Sequence, residues 1–118
     1  MMAFKYLYRD AGNFKAFGQV VLKGMLLPGE LSILRASLPG DGFFIAEQLG
    51  VPPLYEALFR WSGGPTEADH CWHEFVEISE INERSLPVKS FVWGEAKTFL
   101  SRLCSISAWN EELSPHFA

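Results

Sequence analysis

The chain has little cysteine and no long apolar run. Cys71 and Cys104 are the only cysteines among 118 residues, and two cysteines do not make the disulfide framework of a small secreted domain. The longest apolar runs, such as residues 20–22 and 43–46, are far shorter than the roughly 20 residues that span a bilayer. Three charged residues within residues 1–10 predict no secretory signal. We therefore expect a cytoplasmic protein with free thiols and no membrane segment.

A strong excess of charge of one sign is also absent. The formal net charge is −4 and the sequence pI is about 5.3. Dedicated duplex-DNA binders are usually strongly basic, so this mild acidity argues against that class and suits a basic partner. Apolar residues make up 48% of the chain and charged residues 20%, which is ordinary globular usage. At this length we expect a single domain, residues 1–118.

The signatures of common catalytic and cofactor sites are missing. The sequence contains no C-x-x-C or H-E-x-x-H motif, and no serine stands in a G-x-S-x-G elbow. Gly63 and Gly64 precede a proline and lack the Lys-Ser/Thr pair of a phosphate-binding loop. We therefore predict no cofactor.

The N-terminal residues predict a β-hairpin. Residues 4–9 and 14–22 are rich in aromatic and β-branched side chains, and the segment between them, DAGN, is typical of a turn. We expect Gly12 to take a positive φ in this turn and Gly18 to mark a β-bulge in the second strand.

The middle of the chain predicts short elements separated by Pro and Gly. Residues 28–30, PGE, begin a helix that Pro39-Gly40 ends, and residues 43–45 predict a short strand. Pro52-Pro53 is expected to begin another helical turn. The apolar residues that recur on one side of these two helices are Leu31, Leu34 and Leu38, and then Leu54, Leu58 and Trp61.

Residues 66–81 allow two interpretations. As a helix they would begin with the capping box Thr66-x-x-Asp69 and place acidic side chains and both histidines opposite an apolar stripe. As a strand, Trp72 to Glu80 is rich in aromatic and β-branched residues and supplies the third strand that an isolated hairpin needs. We expect the strand.

The C-terminal part predicts an amphipathic helix with its apolar residues on one face. That face comprises Val92, Ala96, Phe99, Leu100, Leu103 and Ile106, and Trp109 is expected to contact the core. The fold class expected from the whole order is α+β. A small antiparallel sheet, made of the hairpin plus one or two further strands, would carry helices on one face.

Three segments together resemble a known family. They read YLYRDAGNF at residues 6–14, FIAEQLG at 44–50 and DHCWHEF at 69–75. In these segments the chain resembles a family of small bacterial proteins with no assigned activity. The resemblance covers about the first 80 residues and leaves the C-terminal helix unmatched. It implies a bacterial, cytoplasmic origin and carries over no catalytic residue.

The densest group of chemically active residues is DHCWHE at residues 69–74. On a helix, His70, His73, Glu74 and Glu77 would share one face and could bind Zn²⁺ or Fe²⁺. On a strand, His70, Trp72 and Glu74 would point one way and Cys71 and His73 the other. A small metal- or histidine-dependent enzyme using His70, His73 and Glu74 is therefore one alternative function. A Cys71 nucleophile is weaker, since its acidic neighbours raise its pKa.

The charged residues are segregated along the chain. Residues 1–25 hold four basic residues and one acidic one, whereas residues 67–84 hold six acidic residues and one basic one. Basic residues with interleaved aromatics on the hairpin are compatible with stacking of single-stranded nucleic acid, which is a second alternative function. The residues of that hypothesis are Lys5, Tyr6, Tyr8, Arg9, Lys15, Phe17 and Lys23.

The hypothesis that we favour is a non-enzymatic protein that binds a protein partner or a second copy of itself. The acidic residues Asp69, Glu74, Glu77 and Glu80 would supply electrostatic complementarity, as in immunity proteins or nuclease inhibitors. Trp72 and Phe75 would anchor that segment in the core or at the interface. The opposite charges of the two segments would also suit self-association.

Overall fold

The computed structural model describes residues 1–40, 42–58, 70–82, 84 and 90–111. In these ranges the strands are β1 (Met2–Arg9), β2 (Lys15–Lys23), β3 (Phe43–Ile45), β4 (Trp72–Glu80) and β5 (Phe91–Glu95). The helices whose bounds lie within these ranges are α1 (Pro28–Ala36), α2 (Ala46–Leu49) and α3 (Ala96–Ser105), and residues 56–58 are helical as well. This mixture confirms the α+β class and the amphipathic C-terminal helix.

The strands form one sheet in the order β3-β4-β1-β2-β5. The central strand β1 pairs with β2 and with β4, and both pairings are antiparallel. β3 pairs with β4 antiparallel, whereas β5 pairs with β2 parallel. The sheet is therefore mixed, and three strands rather than one or two join the hairpin.

The predicted hairpin is confirmed, but a different residue takes the unusual backbone angle in its turn. Asn13 has a φ of 68°, and Gly12 is not among the residues with positive φ. The Asp10 carboxylate accepts a hydrogen bond of 2.9 Å from the Phe14 N–H. Asparagine tolerates the left-handed region because its short polar side chain bonds locally, here with Arg9 Nη1 at 2.7 Å.

The predicted bulge at Gly18 is wrong, and the sheet has an irregularity in β4 instead. The pairing of β1 with β2 runs without a shift from Met2–Leu22 to Arg9–Lys15. Between Lys5–Glu77 and Tyr6–Phe75 the register of β4 shifts, which makes Val76 the extra residue. Gly18 is small for another reason, since a Cβ there would lie 2.8 Å from Leu54 Cδ2.

We expect Gly18→Ala to lower the free energy of unfolding by about 1 kcal/mol, because the added methyl displaces Leu54. Gly29→Ala is the matched control, since a Cβ at Gly29 meets no atom within 4 Å. That control is expected to raise stability by about 0.5–1 kcal/mol through loss of chain entropy in the unfolded state. Urea denaturation of both variants measures the difference, and an equal shift in both would contradict the packing role of Gly18.

The core lies between one face of the sheet and the helices. The β1 residues that point into it are Met2, Phe4, Tyr6 and Tyr8, all at most 3% exposed. The ring of Phe4 lies at its centre, 5.0–5.7 Å from the rings of Phe44, Phe75 and Phe99. Aromatic pairs at these distances add stabilisation beyond the burial of their area.

The strand interpretation of residues 72–80 is confirmed, and the helix interpretation is wrong for them. Residues 73–75 and 77–80 pair with β1, and residues 72–74 pair with β3 on the other side, so the sheet satisfies backbone groups that a helix would bond internally. Residues 66–69, including the predicted capping box, lie outside the described residues.

The C-terminal helix begins later than its apolar pattern predicts. Residues Phe91–Glu95 form β5, which pairs with β2, and the helix runs over Ala96–Ser105. Gly94 has a φ of 142°, which no α-helix contains. Trp109 packs against the core cluster, as expected, whereas Trp61 lies outside the described residues.

Candidate functional site

His73 is a buried core residue rather than an accessible ligand. Its side chain is 0% exposed and is surrounded by the rings of Tyr6, Tyr8, Phe44 and Tyr55. Its Nε2 accepts a hydrogen bond of 2.9 Å from the Leu54 N–H, so Nδ1 carries the proton and donates to the Cys71 carbonyl at 3.1 Å. Both nitrogens are therefore used to hold the chain around residue 54 against β4.

Burial lowers the pKa of His73 to about 4, because the surrounding rings cannot solvate an imidazolium. Smaller effects come from the Cys71 carbonyl and Glu47, which raise the pKa, and from His70, which lowers it. His73 is consequently neutral at pH 7. A neutral, fully packed imidazole with both nitrogens bonded is not placed to exchange protons with a substrate.

The ring nitrogens of His70 also bond to backbone groups, with the opposite tautomer. Its Nδ1 accepts from the Trp72 N–H at 3.0 Å, so Nε2 carries the proton and donates to the Arg9 carbonyl at 2.7 Å. Its own N–H donates to Tyr8 Oη at 3.1 Å. His70 thereby fixes the end of β1 next to the start of β4.

Two acidic side chains of β4 are paired with basic side chains of β1. Glu74 Oε2 lies 3.0 Å from Arg9 Nε, and Glu77 Oε1 lies 3.0 Å from Lys5 Nζ. The two charge groups that are separate in sequence thus meet across one pair of strands. At Glu74 and Glu77, the basic partners Arg9 and Lys5 therefore neutralise the acidic surface that the sequence predicts.

The predicted metal-ligand set does not converge. His73 points into the core, and Glu74 and Glu77 lie on the opposite face with their basic partners. Within the described ranges, no group of three or more His, Cys, Asp or Glu side chains is close enough to hold a metal ion. Strand geometry separates residues that a helix would have aligned, so His70, His73 and Glu74 form no common site.

Cys71 is a packed thiol. It is 2% exposed, and burial, followed by the negative charge of Glu111, raises its pKa to about 11. The thiolate is the reactive form of cysteine, so at pH 7 this side chain is in its unreactive state. The geometry gives the nucleophile hypothesis no support.

The remaining residues of the acidic segment differ in exposure. Trp72 is half-buried; its Nε1 donates to Glu111 Oε1 at 2.7 Å, and its ring lies 6.2 Å from that of Trp109. Glu80 is exposed at the end of β4, and Asp69 lies outside the described residues. Trp72 is therefore an anchor that attaches the C-terminal segment to the sheet.

Tyr6 and Tyr8 cannot provide the predicted stacking platform for nucleic-acid bases. They are 1% and 0% exposed, and Tyr6 Oη donates a hydrogen bond of 2.6 Å to the Pro52 carbonyl. Burial raises the pKa of Tyr6. Base stacking needs an accessible ring face, and both rings are used in the core.

The accessible feature is the face of the sheet opposite the helices, at its hairpin end. We call this surface the open face; its residues are Lys5, Leu7, Arg9, Lys15, Phe17, Gln19, Glu74, Val76 and Glu77, and of these Leu7 is buried. Phe17 and Val76 are 71% and 46% exposed. Between them runs a shallow groove of about 310 Å³, with Lys5, Gln19 and the Tyr6–Gly18 pair as its other lining.

The sequence analysis named Phe17 only as a base-stacking residue of the hairpin, and it did not name Val76 as a surface residue. The exposure of Phe17 could have been predicted from strand alternation. The odd-numbered residues of β2 share a face with Lys5 and Arg9, and Phe4 lies on the opposite, core face. No such signal exists for Val76. Its position on the open face follows from the bulge in β4, which depends on how that strand pairs with β1.

Comparisons of the chain with protein-family models, curated proteins and solved structures gave no significant match. In the part of the chain that the structure describes, no helix is long and apolar enough to cross a membrane. The bacterial, cytoplasmic family of the sequence resemblance stays a prediction.

Proposed function

We propose that this is a non-enzymatic protein whose open face binds a protein surface. The observation that carries the proposal is the exposure of Phe17, a large aromatic side chain near the hairpin end of β2. Aromatic residues are enriched at protein interfaces, and an exposed ring beside a groove is the usual form of an interface anchor.

The charges around the groove support the same function. Lys5 and Arg9 already have carboxylate partners on β4, so a partner can cover them without leaving a buried charge unpaired. Among the ion pairs of the described residues, none involves Lys15. Lys15 is therefore available to steer a partner toward the face.

The proposal is tested by photo-cross-linking in cells. With p-benzoylphenylalanine in place of Phe17, we expect a cross-link to one defined protein. That protein is either a different chain or a second copy of this one. The same group in place of Ile33, which is 51% exposed on α1, serves as the control and is expected to give no such product. With the purified partner, Phe17→Ser should lower affinity by about tenfold or more, and Ile33→Ser by less than about twofold.

Phe17→Ser should leave the free energy of unfolding within about 0.5 kcal/mol of the parent, since the ring is mostly in water. Cross-links of equal yield from both positions would contradict the proposal, because they would report random contact. A cross-link from position 17 to nucleic acid would also contradict it and would favour the single-stranded nucleic-acid alternative.

A further inference from the structure

We infer that the open face binds an extended, acidic segment of another protein. An apolar side chain of that segment enters the groove between Phe17 and Val76, and a carboxylate on the same side of the segment pairs with Lys15. This inference rests on the proposed function and names the chemistry of the partner.

The open face differs in the sign of its charge from the rest of the protein. Its three basic and two acidic side chains give it a net charge of +1. The whole chain carries −4, which leaves −5 for all other residues. Long-range attraction therefore directs an acidic partner to the open face, while the rest of the chain repels that partner. A basic partner would be drawn to other parts of the surface.

Lys15 is the basic group that is available to such a partner. The four other charged side chains of the face pair with one another between β1 and β4, and no ion pair of the described residues involves Lys15. Lys15 and Phe17 lie on the same face of β2, one side-chain repeat of about 6.7 Å apart. Alternate side chains of an extended segment have the same spacing. A carboxylate two residues from the apolar side chain in the groove therefore lies within reach of the Lys15 ammonium.

The width of the groove favours an extended chain over a helix. Phe17 on β2 and Val76 on β4 lie on either side of β1, so two strand spacings, about 9.6 Å in all, separate their backbones. A helix with its side chains is about 10–12 Å across and would rest on the rims of the groove. A single extended chain can reach the Tyr6–Gly18 pair that lines it.

Gln19 is placed to bond the backbone of an extended segment. It lines the groove, and within the described ranges its side-chain amide takes part in no hydrogen bond. Gln48 already binds an irregular segment of this chain in that way, since its Nε2 donates to the Ala108 carbonyl at 2.7 Å and its Oε1 accepts from the Asn110 N–H at 2.8 Å. An extended partner offers free backbone groups of both kinds, whereas those of a helix are bonded internally.

Selection of short random peptides on the purified full chain tests the inference. We expect the enriched peptides to share an apolar residue with an Asp or Glu two positions away. In fluorescence anisotropy with one enriched peptide, binding should be tightest at low salt, and Phe17→Ser should lower the affinity by about tenfold. Lys15→Glu should lower it by about fivefold, through loss of the ion pair and repulsion of the carboxylate. A peptide with Lys in place of its acidic residue should recover binding to Lys15→Glu.

Lys23→Glu is the matched control. It makes the same charge change at another exposed lysine of β2, eight residues away from Lys15. That separation is about 26 Å along the strand, beyond the reach of a segment that fills the groove. We expect Lys23→Glu to leave the affinity for the peptide within about twofold of the parent.

Enriched peptides without acidic residues, or no enrichment at all, would overturn the inference, as would equal losses of affinity in Lys15→Glu and Lys23→Glu. If position 17 nevertheless cross-links to a defined protein, the proposed function stands and only the chemistry of the partner was wrong. A cross-link to a second copy of this chain is one such case. Without enrichment and without a specific cross-link from position 17, the proposed function falls as well.

Discussion

Replacing His73 with leucine is expected to lower the free energy of unfolding at pH 7 by about 2–4 kcal/mol. Leucine fills a similar volume, but it neither accepts from the Leu54 N–H nor donates to the Cys71 carbonyl. Each buried polar group that loses its partner costs about 1–3 kcal/mol. Urea denaturation followed by circular dichroism measures the loss.

His70→Leu is the matched control, because it removes the same chemical group from the same strand region. His70 is only half-buried, so water can replace its bonds to Arg9 and Trp72, and we expect a loss of about 1 kcal/mol. Equal losses in the two variants, or a His73→Leu protein as stable as the parent, would show that the bonds of His73 do not hold the core.

Acidification should destabilise the protein through the same residue. An unfolded histidine has a pKa near 6.5, and burial lowers the pKa of His73 to about 4 in the folded state. Between pH 6.5 and pH 4, His73 binds a proton in the unfolded chain but not in the folded one. The free energy of unfolding is therefore unaffected by His73 above pH 6.5 and falls as the pH approaches 4. The contribution of His73 to this fall is about 3 kcal/mol.

The difference between parent and His73→Leu isolates this effect. The two proteins differ at no other ionisable side chain, so any other effect of acid is common to both. The stability of the parent between pH 7 and pH 4 should therefore fall more steeply than that of the variant. Parallel curves would be evidence that His73 is already protonated in the folded state or is solvated despite its burial.

Local sequence patterns predicted the elements whose apolar residues follow either the strand period or the helix period, but not both. The alternation of β1, the DAGN turn and the Pro and Gly boundaries of α1 are local signals, and each element forms near its predicted place. The strand at Trp72–Glu80 also has the predicted limits. Residues 92–95 fit a helical period by chance, and the pairing with β2 overrides that period because it satisfies backbone groups at the edge of the sheet.

The candidate site was less predictable than the fold. The histidines and carboxylates of residues 70–77 attract attention in the sequence, yet their roles differ according to the face on which each lies. His73 became a core residue, whereas Glu74 and Glu77 became partners of Arg9 and Lys5. Their neutralisation involves strands more than 60 residues apart in the chain, so no local pattern contains it.

The sequence by itself determined the α+β class, the N-terminal hairpin, the amphipathic C-terminal helix and the separation of basic from acidic segments, because these depend on composition and on short periods. The tertiary structure alone decided that β1 lies between β2 and β4 and that the two charged segments pair with each other. It also decided that Phe17 and Val76 flank an open groove. Strand order and register depend on contacts between residues that are distant in the chain. Local sequence patterns do not specify those contacts.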